Sequence, residues 1–141
     1  MEKSFQVLEF DKVLEILSSF AASELGKQRC LETLVYEDFS IINKELSYTS
    51  EARFLLNQFI EPPLDYILDI KKAVADAKKG LTLSSQELVD ISKVLKTSRL
   101  MKRYLERNSN EAATLAEFFD LLVDNKELED KIFSFVTTKA S

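Results

Sequence analysis

Lys93, Lys96, Arg99, Arg103 and Arg107 recur at intervals of three and four residues in "KVLKTSRLMKRYLER". At helical periodicity they project onto one flank of roughly 120°. A stripe of that kind can track a phosphate backbone, because successive cations then face one groove of charge. Tyr104 is the one stacking candidate beside it. The same pattern also describes a solvated helix face whose cations answer acidic segments elsewhere in the chain, and both readings stay open. The other chemistry-bearing residues do not assemble. Without a histidine, and with Cys30 as the single cysteine, neither a Ser, His and Asp arrangement nor an activated Cys nucleophile can be built. Zinc and disulfide chemistry fall on the same ground. Glu117, Asp120, Asp124, Glu127, Glu129 and Asp130 lack the ligand spacing of a calcium loop and read as a solvated acidic face. No Walker sequence occurs. Catalytic, metal and cofactor residues are therefore expected to be absent from this chain.

The charge is distributed unevenly. Net charge is −5 over 141 residues, yet residues 1–70 carry 6 basic and 13 acidic groups, 71–107 carry 10 and 4, and 108–141 carry 3 and 7. A basic middle lies between acidic flanks. Hydrophobic residues make up 45% and charged residues 30%, with only two Gly and two Pro. Such a composition suits a helical globular chain and leaves few sites for the tight turns of an all-β fold. The start, "MEKSFQVLEF", has no basic segment leading into a long apolar core, and no apolar run approaches the ~20 residues of a membrane span. A cytoplasmic protein without membrane attachment is expected.

The elements that would position these residues can be read from periodicity and caps. Val7, Leu8, Phe10, Val13, Leu14, Leu17, Phe20 and Ala21 form a first amphipathic helix. A break follows near Ala22, with Ser23 as cap of a second helix, "SELGKQRCLETL". Gly26 inside it costs about 1 kcal/mol relative to Ala, for which close approach of a neighbouring helix is the expected compensation. Gly26-Lys27 lacks the spacing of a P-loop. Ser40 can cap a third helix through Ile42, Leu46, Ala52, Leu56 and Phe59, ended by Pro62 and Pro63. A short helix begins near Asp69 and stops at Gly80. "SSQE" at 84–87 is a capping box that opens a long helix to about Asn108, with Leu88, Ile91, Val94, Leu95, Met101 and Leu105 inward. One further helix through Val123, a polar break at Asp124 and Asn125, and a last helix to about Val136 complete an all-α chain of six or seven helices. One helical domain, 1–141, is the economical organisation. Phe118, Phe119, Phe133 and Phe135 read as core or interdomain packing, with Phe135 a candidate docking point.

"LEFDKVL" at 8–14 followed by "SELGK" at 23–27 resembles the N-terminal segment of the MutS-II family, the bacterial MutS paralogues that lack the mismatch-reading front domains. "TSEARFLL" at 49–56, "DI" at 69–70, "AKKGLTLSSQELVDI" at 77–91 and "RLMKRYL" at 99–105 are similar to that family in order and spacing. The chain departs from the pattern in having "LVYEDF" where a Pro usually follows the second helix, and in ending "FVTTKAS" rather than in a Gly-Glu-Val turn. The resemblance implies a non-catalytic helical piece of the MutS core, within a larger dimeric ATPase that uses ATP and Mg and often carries a Smr nuclease domain. It further implies that DNA, especially branched DNA, or stalled ribosomes are partners of the parent, together with the parent's remaining domains. No ATP-binding or nuclease motif of the family maps onto a residue here. Phe10, Leu14, Leu17, Leu25, Gly26, Leu56, Leu95 and Leu105 are the expected packing residues. Two other functions compatible with the residues are a stand-alone adaptor that binds a protein through its aromatic C-terminal face, and direct nucleic-acid contact through the 93–107 stripe.

Overall fold

The computed structural model describes residues 10–33 and 37–140, and for 138–140 the backbone only. The helices are α1 (Phe10–Ser19), α2 (Glu24–Leu31), α3 (Phe39–Asn57), α4 (Lys71–Lys78), α5 (Ser85–Arg107), a 3₁₀ segment (Leu115–Leu121) and α6 (Lys126–Ala140). There is no strand among the described residues, and the chain is all-α. It groups into two compact units, Met1–Tyr36 and Glu37–Ser141.

In the first unit α1 and α2 pack on each other. Leu14 is the buried apolar residue of α1. Val7 and Leu8 lie outside the described residues. The hydroxyls of Ser18 and Ser19 donate to the Glu15 and Ile16 carbonyls, back-bonding that accompanies the helix end. Ser23 caps α2 as expected, its hydroxyl accepting from the Gly26 N–H at 3.0 Å. The explanation of Gly26 changes, however. A Cβ there would meet the Ser23 hydroxyl at 3.2 Å and the Ala21 Cβ at 3.4 Å, and no atom of a crossing helix among the described residues. The glycine makes room for the cap itself. Leu17 and Leu25, expected in the core, are 46% and 39% exposed.

The second unit is built around α5. Its capping box is present in both directions, Ser84 Oγ accepting from Glu87 N–H and the Glu87 carboxylate accepting from Ser84 N–H, both at 3.1 Å. Asp38, rather than Ser40, caps α3, accepting from the Ser40 and Ile41 N–H groups. Ser40 instead donates its hydroxyl to the same carboxylate at 2.7 Å, and these bonds hold the Asp38 pKa below the ordinary carboxylate value.

α3 stops before its prolines. Phe59 adopts φ 59°, while Ile60 N–H returns to the Leu55 carbonyl and Phe59 N–H to that of Leu56. α4 ends by the same pair of bonds, Leu81 to Asp76 and Gly80 to Ala77, with Gly80 at φ 77°. Both are Schellman closures, whose left-handed position suits glycine. At the first of them a phenylalanine occupies that position, 93% exposed.

The expected helix through Val123 is a 3₁₀ segment. Glu51 on α3 accepts from the Thr114 and Leu115 N–H groups at 2.6 and 3.3 Å, pinning its start. Adjacent Phe118 and Phe119 serve different neighbours, Tyr48 of α3 at 5.2 Å between ring centroids and the Lys102 ammonium of α5 at 4.4 Å. The tighter winding separates successive side chains by 120° rather than 100°. Leu55, Leu105 and Ala112 form the buried apolar centre of this unit. Leu56, expected there, is 52% exposed, because the face α3 turns inward is centred one residue earlier.

Candidate functional site

The face of α5 that carries the basic stripe is held in place from both sides. Tyr66 in the α3–α4 connection donates its hydroxyl to Asp90 at 2.7 Å, and Thr97 donates to the Tyr66 carbonyl at 2.7 Å. Gln86 donates to the same Asp90 oxygen at 2.8 Å. The Tyr66 and Gln86 bonds depress the Asp90 pKa, and Asp90 in turn raises that of Tyr66. Lys93 stands 5.0 Å over the Tyr66 ring. One turn from the other end, Tyr104 donates to the Ile60 carbonyl at 2.8 Å, and burial raises its pKa.

Across the second flank, Val123 N–H donates to Ser98 Oγ at 2.8 Å, and Lys102 donates to the Leu122 carbonyl at 3.3 Å. Lys102 is thereby committed to holding the 3₁₀ segment. Asn125 then caps α6 by accepting from Leu128 N–H at 3.1 Å, which realises the polar break read in the sequence.

The five stripe residues do not share one environment. Lys93, Lys96, Arg103 and Arg107 are exposed. Arg99 is buried, its Nε donating to Glu129 Oε2 at 2.8 Å and its terminal nitrogen to Oε1 at 3.3 Å. The Glu129 bonds raise the Arg99 pKa above the ordinary arginine value, with Asp124 and Asp130 adding a smaller attraction. As a nucleic-acid contact Arg99 is displaced by this pairing, since its donors are turned into the α5–α6 interface. Glu129, expected on a solvated acidic face, is the buried partner for the same reason. Glu117 and Glu127 do sit on the surface, paired with Lys44 at 3.0 Å and Lys131 at 3.2 Å.

α5 and α6 run antiparallel, so that Arg99 meets Glu129 while Val89 and Val136 line the same groove. This groove encloses about 580 Å³. Lys93, Lys96 and Lys126 line it beside Ile132 and Phe133. Lys126 was not legible as a member of the set, because its helix reaches α5 only through the fold. A second depression of about 360 Å³, almost wholly apolar, lies between α3, α5 and the 3₁₀ segment, around Leu55, Leu56, Met101 and Phe118. Among the described residues no group of three His, Cys, Asp or Glu is placed to hold a metal, and no helix is long and apolar enough to cross a membrane.

Comparison with known proteins identifies what the chain is similar to. It is 35% identical over 133 residues to the Endonuclease MutS2 of Ruminiclostridium cellulolyticum, a match covering 93% of this chain and 17% of that protein. The Endonuclease MutS2 of Bacillus cereus is 36% identical, with 94% and 17% covered. That of Acetivibrio thermocellus is 28% identical, with 98% and 18% covered. No family model and no solved structure matches. The chain resembles a segment of MutS2 proteins and spans less than a fifth of the length of these curated relatives.

Proposed function

We propose that this chain is a non-catalytic helical segment of a MutS2-like protein, positioning other domains rather than performing chemistry itself. The supporting observation is similarity along nearly its whole length to proteins more than five times longer. Its surface is in keeping with that role. Ile16, Phe20, Phe39, Leu46 and Leu121 are each more than half exposed, an amount of apolar surface that further polypeptide would cover. In this reading the parent supplies ATP and Mg binding and the nuclease activity. It acts as a homodimer on branched DNA or on stalled ribosomes, in the cytoplasm.

The test is an exchange of the aligned segment of the Ruminiclostridium cellulolyticum protein for this chain. The chimaera should retain cleavage of branched DNA at a rate within a few-fold of the parent. A folded chimaera devoid of activity would count against the assignment.

A second reading rests on Lys96, Arg103 and Arg107, which are exposed and make no ion pair among the described residues. They could contact a phosphate backbone directly. Binding of the chain to a four-way DNA junction should then weaken steeply between 50 and 200 mM salt, by about 40-fold for three phosphate contacts, and fall again in Arg103→Glu. Absence of binding at the lowest salt would remove this reading.

A further inference from the structure

The α5–α6 groove combines lysines with apolar walls. Its floor contains the Arg99–Glu129 pair, whose opposite charges satisfy each other. Lys93, Lys96 and Lys126 remain at its edges against a single further acid, Asp130. This is a net positive basin on a chain whose overall charge is −5. Between the lysines the walls are apolar, from Val89 on α5 to Ile132, Phe133 and Val136 on α6. Phe133 is 69% exposed, so a large ring stands at the opening without cover.

Phosphate backbones suit the cations of such a groove but not its walls. A nucleic-acid strand would leave Ile132, Phe133 and Val136 against water or sugar, with no aromatic platform inside the groove except Phe133. A carboxylate-bearing apolar partner answers both features, since its acids can reach Lys96 and Lys126 while its side chains enter between the helices. The dimensions agree. From Val89 to Arg99 the groove follows ten residues of α5, about 15 Å at 1.5 Å per residue, which accommodates close to three turns of a guest helix.

We propose that the groove between α5 and α6 docks an acidic amphipathic helix from a partner polypeptide, with apolar residues against Ile132, Phe133 and Val136 and carboxylates at Lys96 and Lys126. The partner's sequence would carry Leu or Phe at i, i+3 or i+4 and i+7, flanked by Glu or Asp on the side facing the lysines. Neither the similarity to MutS2 proteins nor a DNA role for the stripe is needed for this docking.

A direct test uses the complete 141-residue chain and a fluorescein-labelled 14-residue peptide with that Leu and Glu pattern. Its controls are a scrambled peptide of identical composition and a single-stranded DNA oligonucleotide. Anisotropy should show saturable binding of the patterned peptide, at least tenfold tighter than the scrambled one. Lys96→Glu with Lys126→Glu should weaken it tenfold or more, and a peptide with Lys in place of Glu should recover binding to that double variant. Circular dichroism of the variant checks that its helices persist, and Phe133→Ser provides an independent loss through the apolar wall. Equal binding of patterned and scrambled peptides, or binding indifferent to both sets of substitutions, would overturn the proposal. So would exclusive binding of DNA, or self-association in the ultracentrifuge that the groove variants abolish while no peptide binds.

Discussion

Arg99 and Glu129 meet through two hydrogen bonds, at 2.8 and 3.3 Å, with side chains only 8% and 9% exposed. They are separated by 30 positions in the chain and join the middle of α5 to the start of α6. A bidentate guanidinium–carboxylate pair fixes both the spacing and the rotation of the two helices, because either donor direction is lost on a small slip. The pair is closed in enough that an unpaired member has little water to turn to.

Removing one partner should therefore be costly. Arg99→Met leaves the Glu129 carboxylate without its donors and is expected to lower stability by about 3 kcal/mol. Arg99→Met with Glu129→Leu should recover much of the loss, since two apolar side chains can fill the same interface. Urea unfolding of the two single variants and the double variant measures this. Additive losses would show that the pair contributes nothing as a pair.

The pair also shows where sequence reading stops. Helical periodicity places Arg99 with Lys96 and Arg103 on one flank, and that placement holds for the backbone. It cannot reveal that α6 returns to cover the middle of the flank, which depends on the irregular connection 122–125 and on a 3₁₀ segment shaped by Glu51 and Lys102. Local chemistry was more legible. Ser23, the Ser84 and Glu87 box, Gly80 and the break before Lys126 all fall where short-range bonds require them. Leu56 and the Ser40 cap were displaced by a single neighbouring choice, Leu55 inward and Asp38 at the cap, between residues of nearly equal propensity.

Phe59 and Gly80 occupy equivalent positions in two Schellman closures, and only Gly80 has the residue type that the conformation favours. With its ring 93% exposed, Phe59 gains little packing within its unit to offset a left-handed backbone. Phe59→Gly is expected to raise stability by about 1 kcal/mol, and Gly80→Ala to lower it by about 1 kcal/mol. Chemical denaturation of both variants decides it. A destabilised Phe59→Gly would mean that the ring makes contacts worth more than the strain.

Gly26 poses a finer balance. Alanine there gains about 1 kcal/mol of helix propensity but crowds the Ser23 hydroxyl, which must move a few tenths of an ångström and lengthen its bond to the Gly26 N–H. The loss of a cap is worth about 1 kcal/mol as well. Gly26→Ala alone should thus be close to neutral, whereas in a Ser23→Ala background, with the hydroxyl gone, it should stabilise by about 1 kcal/mol. A thermal double-mutant cycle measures the coupling, and a zero value would separate the glycine from the cap.

The bond between Tyr66 and Asp90 makes stability depend on pH at both extremes. Asp90 has a lowered pKa in the folded chain, chiefly through the Tyr66 hydroxyl and then Gln86. Its contribution is present above the unfolded carboxylate value, about 4, and is lost as pH falls through the lower folded value. Tyr66 has a raised pKa, chiefly through Asp90. Its contribution is complete below about pH 10 and is lost as pH rises through the higher folded value. Tyr66→Phe removes the donor while keeping a ring beneath Lys93, so the cation contact is retained. The difference in stability between the parent and Tyr66→Phe should be level from about pH 5 to 9 and shrink at both ends, where Asp90 is protonated or Tyr66 ionised. Urea midpoints of the two proteins at pH 3, 7 and 11 test it. A difference as large at pH 3 as at pH 7 would mean that the hydroxyl stabilises the α3–α4 connection by a route other than the Asp90 carboxylate.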